Sequence, residues 1–246
     1  MTRSDVVVIP VYNHGAAIGA VVADVRAHGL PLILVDDGSE RTCAAVLDAL
    51  AANDAATDLV RLQSNQGKGG AMMAGLRHAA ALGHSHALQI DADGQHDLAD
   101  IPAFLQQSQL NPEAVICGCP IFDDSVPKSR LYGRYATHVW VWINTWSFAI
   151  TDSMCGFRVY PLAPVVKLID EVRIGRRMDF DVELMVRLCW RGVAIINQPT
   201  RVSYPSDGVS HFNLLDDNLR ITAMHTRLFF GMLLRSPVLL WRTLKQ

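Results

Sequence analysis

A chain of 246 residues, half of them hydrophobic and 19% charged, is long enough for one large α/β domain or two small ones around a sizeable core. That composition excludes intrinsic disorder, and the net charge of −2 argues against nucleic-acid binding. Five cysteines, an odd number with no CxxC pair, point away from a disulfide framework or a zinc site and toward a reducing, cytoplasmic setting. Along the first half, two periodicities alternate. Val6-Val7-Val8-Ile9 is a continuous apolar run, the pattern of a strand buried on both faces, and it begins almost at the N-terminus with no signal-peptide pattern ahead of it. Helix is expected over 16–28, strand over 32–35, helix over 42–51, strand over 59–62, helix over 70–82, strand over 87–90, helix over 98–108 and strand over 114–118. Such alternation predicts a mostly parallel sheet flanked by helices, with ligands at the carboxyl ends of the strands.

The pattern changes after about residue 120. A Trp-rich helix is expected over 131–149, then a loop over 150–155, a short strand around 157–160, a helix over 178–191, a strand over 193–202, a polar loop over 203–213 and a closing helix from Asp216 onward. This divides the chain into a domain over 1–215, in two halves (1–118 and 119–215), and a C-terminal amphipathic helical segment over 216–246.

Three polar clusters fall at expected strand ends. Asp91-Ala92-Asp93-Gly94-Gln95-His96 sets two carboxylates one residue apart at a turn, where both reach one hard cation, Mg²⁺ or Mn²⁺. A solvated turn looks the same in isolation. Asp36-Asp37-Gly38-Ser39 adds two carboxylates that can accept from a nucleobase imide or a ribose hydroxyl, or simply make a turn with a helix cap. Asn65-Gln66-Gly67-Lys68-Gly69-Gly70 leads a lysine and free backbone N–H groups into a helix, where a phosphate could meet them. It is neither a Walker loop nor a dinucleotide GxGxxG.

Together with Pro10-Val11-Tyr12-Asn13, these clusters resemble the family 2 glycosyltransferases of the GT-A fold, most specifically over 6–97. The resemblance implies that Pro10, Tyr12, Asn13, Asp36 and Asp37 hold the nucleoside of a nucleotide-diphosphate sugar. It implies that Lys68 and Asp91-Ala92-Asp93 meet the diphosphate and that Asp91 and Asp93 bind the metal. The longer Asp-Ala-Asp-x-Gln-His pattern is similar to the branch that glycosylates polyprenyl phosphates, such as dolichyl-phosphate mannosyltransferases, which makes Gln95 a third metal ligand. Asp152-x-x-x-Gly156-x-Arg158 is similar to a segment of that branch, making Asp152 the first candidate base, with Asp181 and Glu183 as alternatives. Arg130, Arg134 and Arg158 become candidates for handling acceptor or donor phosphate. His211 stands where that branch usually has a lysine, and Gly118-Cys119-Pro120 stands where it often has Gly-Ser-Arg. The implied reaction inverts the anomeric centre and delivers the sugar to a lipid-linked acceptor. A nucleotidyltransferase is disfavoured, because Val11-Tyr12-Asn13-His14-Gly15 replaces its glycine-rich basic loop; a non-catalytic sugar-nucleotide-binding protein is the remaining alternative.

No run of 18 uncharged apolar residues is present, so a spanning helix is not expected. From Asn218 to Gln246 there are five basic and no acidic residues. At 100° per residue, Arg220, Arg227, Arg235 and Arg242 fall within an arc of about 80° beside a large apolar surface. That reads as peripheral membrane contact through residues 218–246, at the inner face of the cytoplasmic membrane, with Pro237 breaking the segment into two helices. Packing on the protein's own core, or a homodimer, would use the same apolar face.

Overall fold

The continuous apolar runs of the first half become the centre of a seven-stranded sheet. In this computed structural model, which describes residues 3–122, 126, 128–203 and 213–243, the strands are β1 (Asp5–Val11), β2 (Leu32–Asp36), β3 (Thr57–Arg61), β4 (His86–Gln89), β5 (Val115–Phe122), β6 (Arg158–Pro161) and β7 (Ile195–Val202). Their order is β3-β2-β1-β4-β6-β5-β7. All neighbours are parallel except β6, which runs antiparallel to both β4 and β5.

Alternate residues of one strand feed two cores. Val6 and Val8 with Ile33 and Val35 face one side, where α3 (Lys68–Ala81), α6 (Leu162–Glu171), α7 (Phe180–Trp190) and α8 (Leu214–Thr243) pack. Val7, Ile9 and Val11 with Leu32 and Leu34 face the other, against α1 (Gly15–Ala27), α2 (Arg41–Ala52) and α4 (Ile101–Leu110). A period of two along a strand buried on both faces produces this two-sided core. Helix α3 lies unusually close to the sheet: a Cβ at Gly75 would meet Val8 Cγ1 at 2.5 Å and Val35 Cγ2 at 2.8 Å. The remaining helix, α5 (Lys128–Thr145), packs on α7 and α8.

Two expectations are corrected and a third is narrowed. Helix α6 is not anticipated by the sequence pattern; Pro164 lies in its first turn, where a missing N–H costs no helical bond. Pro237 does not divide the C-terminal segment, since α8 runs through it. The carbonyl of Leu233, which a residue other than proline at 237 would have engaged, accepts instead from Ser236 Oγ at 2.8 Å. The arginine stripe, finally, is tied to the protein at three points while Arg220, Arg227 and Arg235 stay exposed. Arg227 donates to Glu183 (3.1 Å), Arg235 lies 4.7 Å over the Trp190 ring, and Arg242 donates to the Trp190 carbonyl (2.9 Å). A buried carboxylate and an electron-rich ring on α7 engage these cations at one border of the helix, and Leu215, Leu219, Phe230, Leu234, Val238 and Trp241 lie on its exposed side. No helix among the described residues is long and apolar enough to cross a membrane.

Candidate active site

The carboxyl ends of β1, β2 and β4 open on one edge of the sheet, and the candidate donor residues collect there. Asn13, with φ at +58°, accepts from Glu40 N (2.8 Å) and donates its own N–H to Ser39 Oγ (3.1 Å), tying the loops after β1 and β2 together. Pro10 and Tyr12 are half-buried on the same edge. Asp36 is buried and accepts from Ser39 N (2.8 Å) and Arg61 Nε (2.9 Å). Asp37 accepts from Gln66 N (2.7 Å) and Gly67 N (2.8 Å), so it fastens the glycine-rich loop to the end of β2. Burial raises its pKa against the pull of those two N–H groups. Gly38 takes φ +72°, and a Cβ there would strike the backbone at Ser64 and Asn65 at 2.7 Å, so the turn requires glycine. Both aspartates therefore tie the loops at this edge together through bonds within the protein.

The centre of the site is a chain of alternating charge. The Lys68 ammonium, at the first residue of α3, lies 2.9 Å from both oxygens of Asp91 and 2.9 Å from Asp181 Oδ2. Asp181 in turn meets Arg158 NH1 at 3.3 Å and Gln89 Nε2 at 3.4 Å. Burial alone would lower the Lys68 pKa, but the Asp181 and Asp91 charges outweigh it and raise it. Burial pushes the Asp91 carboxyl up, and Lys68 with His96 outweighs that, holding it well below the usual carboxylate range. Gly156 explains one residue of the Asp-x-x-x-Gly-x-Arg segment: a Cβ there would overlap the Asp91 carboxylate.

Asp93 shares the turn. One of its oxygens accepts from Gln95 N (3.1 Å), and its pKa is raised, first by burial and then by the charge of Asp91. Two carboxylates that repel each other across a turn, with an amide side chain two residues on, are hard oxygen donors of the kind Mg²⁺ or Mn²⁺ takes. The residues therefore fit the metal that the sequence resemblance implies. His96 stacks on Phe157 (centroids 5.4 Å apart) with Nε2 3.7 Å from Asp91. Ala92, between the two aspartates, is buried. The turn is joined to the end of β7 by Ser203 N donating to the Gln95 carbonyl (3.0 Å).

A second cluster lies beyond β5. Asp152 accepts from Arg134 NH2 (2.8 Å) and Nε, from His138 Nε2 (3.3 Å) and from the N–H groups of Met154 and Cys155 (2.8 Å each). Burial would raise its pKa, but His138 and Arg134 outweigh that and hold it well below the usual range. Both carboxylate oxygens are thus occupied by cations and backbone donors. Arg158 is entirely buried and joins the two clusters: NH2 donates to the Ser153 carbonyl (2.6 Å) while NH1 holds Asp181. Its candidacy for binding acceptor phosphate is corrected accordingly, because β6 runs between β4 and β5 and points this side chain into the interior. Glu183 is corrected likewise. Two residues on from Asp181, it faces the other side of α7, fully buried, where it accepts from Gly175 N (2.9 Å), Arg187 (2.7 Å) and Arg227 (3.1 Å). His211 and the Arg130 side chain lie outside the described residues.

The structure adds His138, His96 and the 172–179 loop to the site. His138 follows Arg134 by one helical turn on α5, a spacing that could have flagged it. Arg176 accepts at its carbonyl from Gly70 N (2.9 Å) and donates to Gln66 Oε1 (3.1 Å), and Arg177 lowers the Asp37 pKa. Nothing in the local sequence signals that pairing, which spans more than a hundred residues.

Comparison with known proteins bears on this geometry. The model of a family described as "Glycosyl transferase family 2" matches residues 6–164. The chain is 26% identical over 186 residues to UDP-N-acetylglucosamine–dolichyl-phosphate N-acetylglucosaminyltransferase of Methanococcus voltae (69% of this chain, 74% of that one). It is 26% identical over 226 residues to polyprenol monophosphomannose synthase of Mycolicibacterium smegmatis (85% and 81%). Glucosyl-3-phosphoglycerate synthase of Mycobacterium tuberculosis, solved with Mn²⁺, UDP-glucose and phosphoglyceric acid, superposes with a TM-score of 0.64 at 18% identity (94% and 79%). A mannosyltransferase of Pyrobaculum calidifontis, solved with GDP-mannose and Mn²⁺, gives 0.60 at 16% identity (96% and 65%). The two solved structures share the GT-A fold with this chain.

Proposed function

The chain belongs to glycosyl transferase family 2, and from that premise we propose that it moves a sugar, with inversion, from a nucleotide-diphosphate sugar to a lipid-linked acceptor of the polyprenyl-phosphate kind. The observation that carries the proposal is the Asp91–Asp93 pair beside Lys68, at the carboxyl ends of parallel strands. Relatives named for dolichyl-phosphate and polyprenol-phosphate products support the acceptor class. Fold neighbours solved with Mn²⁺ and a sugar nucleotide support the donor and the cation.

In this reading Asp91, Asp93 and Gln95 would hold Mg²⁺ or Mn²⁺, which when bound neutralises charge on a nucleoside diphosphate leaving group. Pro10, Tyr12 and Asn13 line the nucleoside end, and Asp36 and Asp37 keep its loops in place. Lys68 supplies a permanent positive charge to the diphosphate. On the acceptor side, Asp152 holds Arg134 and His138 in place, and Arg130 and His211 are further candidates for meeting the acceptor phosphate. A phosphate acceptor is already ionised near neutral pH, since its second pKa lies near 6, so no base has to remove a proton from it. Asp152 therefore acts as the fixed counter-charge of Arg134, and Asp181 as that of Lys68. The exposed apolar side of α5 and α8, including Tyr132, Trp140, Phe230, Leu234 and Trp241, rests on the bilayer that carries the acceptor, at the inner face of the cytoplasmic membrane.

The test is release of nucleoside diphosphate from UDP- and GDP-sugars with Mn²⁺, with Mg²⁺ and with excess EDTA. Turnover that stops in EDTA and in Asp93→Asn fits; full turnover in either contradicts the reading.

A further inference from the structure

Three carboxylates, Asp91, Asp93 and Asp181, share two permanent cations, Lys68 and Arg158. Arg158 is locked in the interior by Ser153, Tyr160 and Asp181. Lys68 is different in kind: a compact charge on a flexible stem with three rotatable donors, its side chain 18% exposed beside an Asp91 that is 21% exposed. Both Asp91 oxygens lie 2.9 Å from its ammonium. Any second cation that arrives at Asp91 has to share that carboxylate with a positive charge already in contact with it. Asp181, 2.9 Å away on the inner side, offers the ammonium a second anchor from which it can turn.

We propose that Lys68 is the resident counter-cation of Asp91, displaced outward when a divalent cation takes that carboxylate, and that the displaced ammonium then pairs with the donor's diphosphate. The inference rests on the metal site proposed above. It makes metal and nucleotide binding reciprocal: the metal frees Lys68 for phosphate, and phosphate keeps Lys68 off Asp91. Asp181 and Arg158 become positioning residues, holding the ammonium at the point where both partners are within its reach.

The experiment titrates the intact protein with Mn²⁺ alone and reads free Mn²⁺ by electron paramagnetic resonance. Lys68→Met removes the competing charge and is expected to tighten Mn²⁺ binding by roughly tenfold or more, a modest fraction of the coupling that charge pairs show at close range. Lys68→Arg keeps the charge and is expected to stay near the wild type. Asp93→Asn in the Lys68→Met background should abolish binding, which identifies the site. Binding in Lys68→Met that Asp93→Asn removes, but no tighter than wild type, overturns this inference and leaves the metal reading standing. No binding in Lys68→Met that depends on Asp93 overturns both. A second measurement needs no substitution. The chain has four lysines, so acylation with acetic anhydride can be followed at each by peptide mass spectrometry. Mn²⁺ is expected to speed modification of Lys68 severalfold and leave the exposed Lys167 unchanged. A Lys68 rate that Mn²⁺ slows or does not change overturns the proposal.

Discussion

Asp93 and Asp152 are both half-hidden or buried, and they respond oppositely to loss of charge. The pKa of Asp93 is raised by burial and by Asp91, so the folded state tolerates its charge reluctantly. Asp93→Asn should therefore leave stability within about 0.5 kcal/mol of wild type, or raise it, while kcat/KM falls by at least about 10²-fold, the scale of losing one preorganised electrostatic contact. A melting curve and a turnover assay on the same preparation check both halves. Asp152 is held as a charged group by His138 and Arg134. Asp152→Asn removes the buried counter-charge that Arg134 and His138 face and should cost about 3–5 kcal/mol. Because its folded pKa is depressed, that stabilisation is fully present above the unfolded value near 3.9 and is lost as pH falls through the lower folded value. The difference in Tm between wild type and Asp152→Asn should shrink once the pH is below about 4. At this scale the sequence was informative where a turn fixes direction. Asp91 and Lys68, singled out at the ends of elements, do meet, and Asp93 shares the turn with Asp91. Arg158 and Glu183 were misplaced because a motif specifies residue types, while the antiparallel insertion of β6 and the 200° between Asp181 and Glu183 on α7 decide where side chains point.

Two elements carry predictions of their own. Helix α3 presses on the sheet at Gly75, so Gly75→Ala must push Val8 and Val35 aside. The overpacking cost of about 1–3 kcal/mol exceeds or matches the gain of about 1 kcal/mol in helix propensity, and Tm should drop despite the better helix former. The α5–α8 contact contains His225, buried against Asn144 (3.3 Å) and stacked with Trp140. Burial lowers its pKa to about 4, against about 6.5 in the unfolded chain. Between those values the unfolded chain binds more protons, so stability falls as pH drops from about 6.5 to about 4 and levels off below. His225→Leu should flatten that slope in a series of melting curves; an unchanged slope would show that α8 does not feel this titration. Periodicity located nearly every element, because strands buried on both faces and helices with one apolar side leave distinct patterns. It missed α6, whose early proline reads as a break, and it split α8 at Pro237, since no one-dimensional rule anticipates Ser236 supplying the missing bond.

For the whole molecule, the contacts that Arg227, Arg235 and Arg242 make with Glu183 and Trp190 leave most of the basic stripe available for membrane contact. Arg220, Arg227 and Arg235 stay exposed, so attraction of about 1 kcal/mol per basic residue adds to apolar insertion, and high salt should weaken binding to vesicles without abolishing it. Leu234→Asp with Trp241→Asp should weaken co-sedimentation by roughly tenfold or more, since each exposed side chain contributes about 1.5–3 kcal/mol when buried. Vesicle binding that salt abolishes, or a stable dimer that hides this face, would contradict that arrangement. The central claim joins the donor edge of the sheet to the lipid-facing side of α5 and α8 in a single transfer. Its most direct measurement supplies the protein with membrane lipid extract and a panel of radiolabelled UDP- and GDP-sugars, with Mn²⁺ or with EDTA, and follows label into the organic phase. Label from at least one sugar nucleotide should enter the lipid fraction with Mn²⁺ and fail to do so with EDTA or with Asp93→Asn. Label that stays in the aqueous phase for every donor, or that reaches lipid equally well in EDTA, would contradict the account.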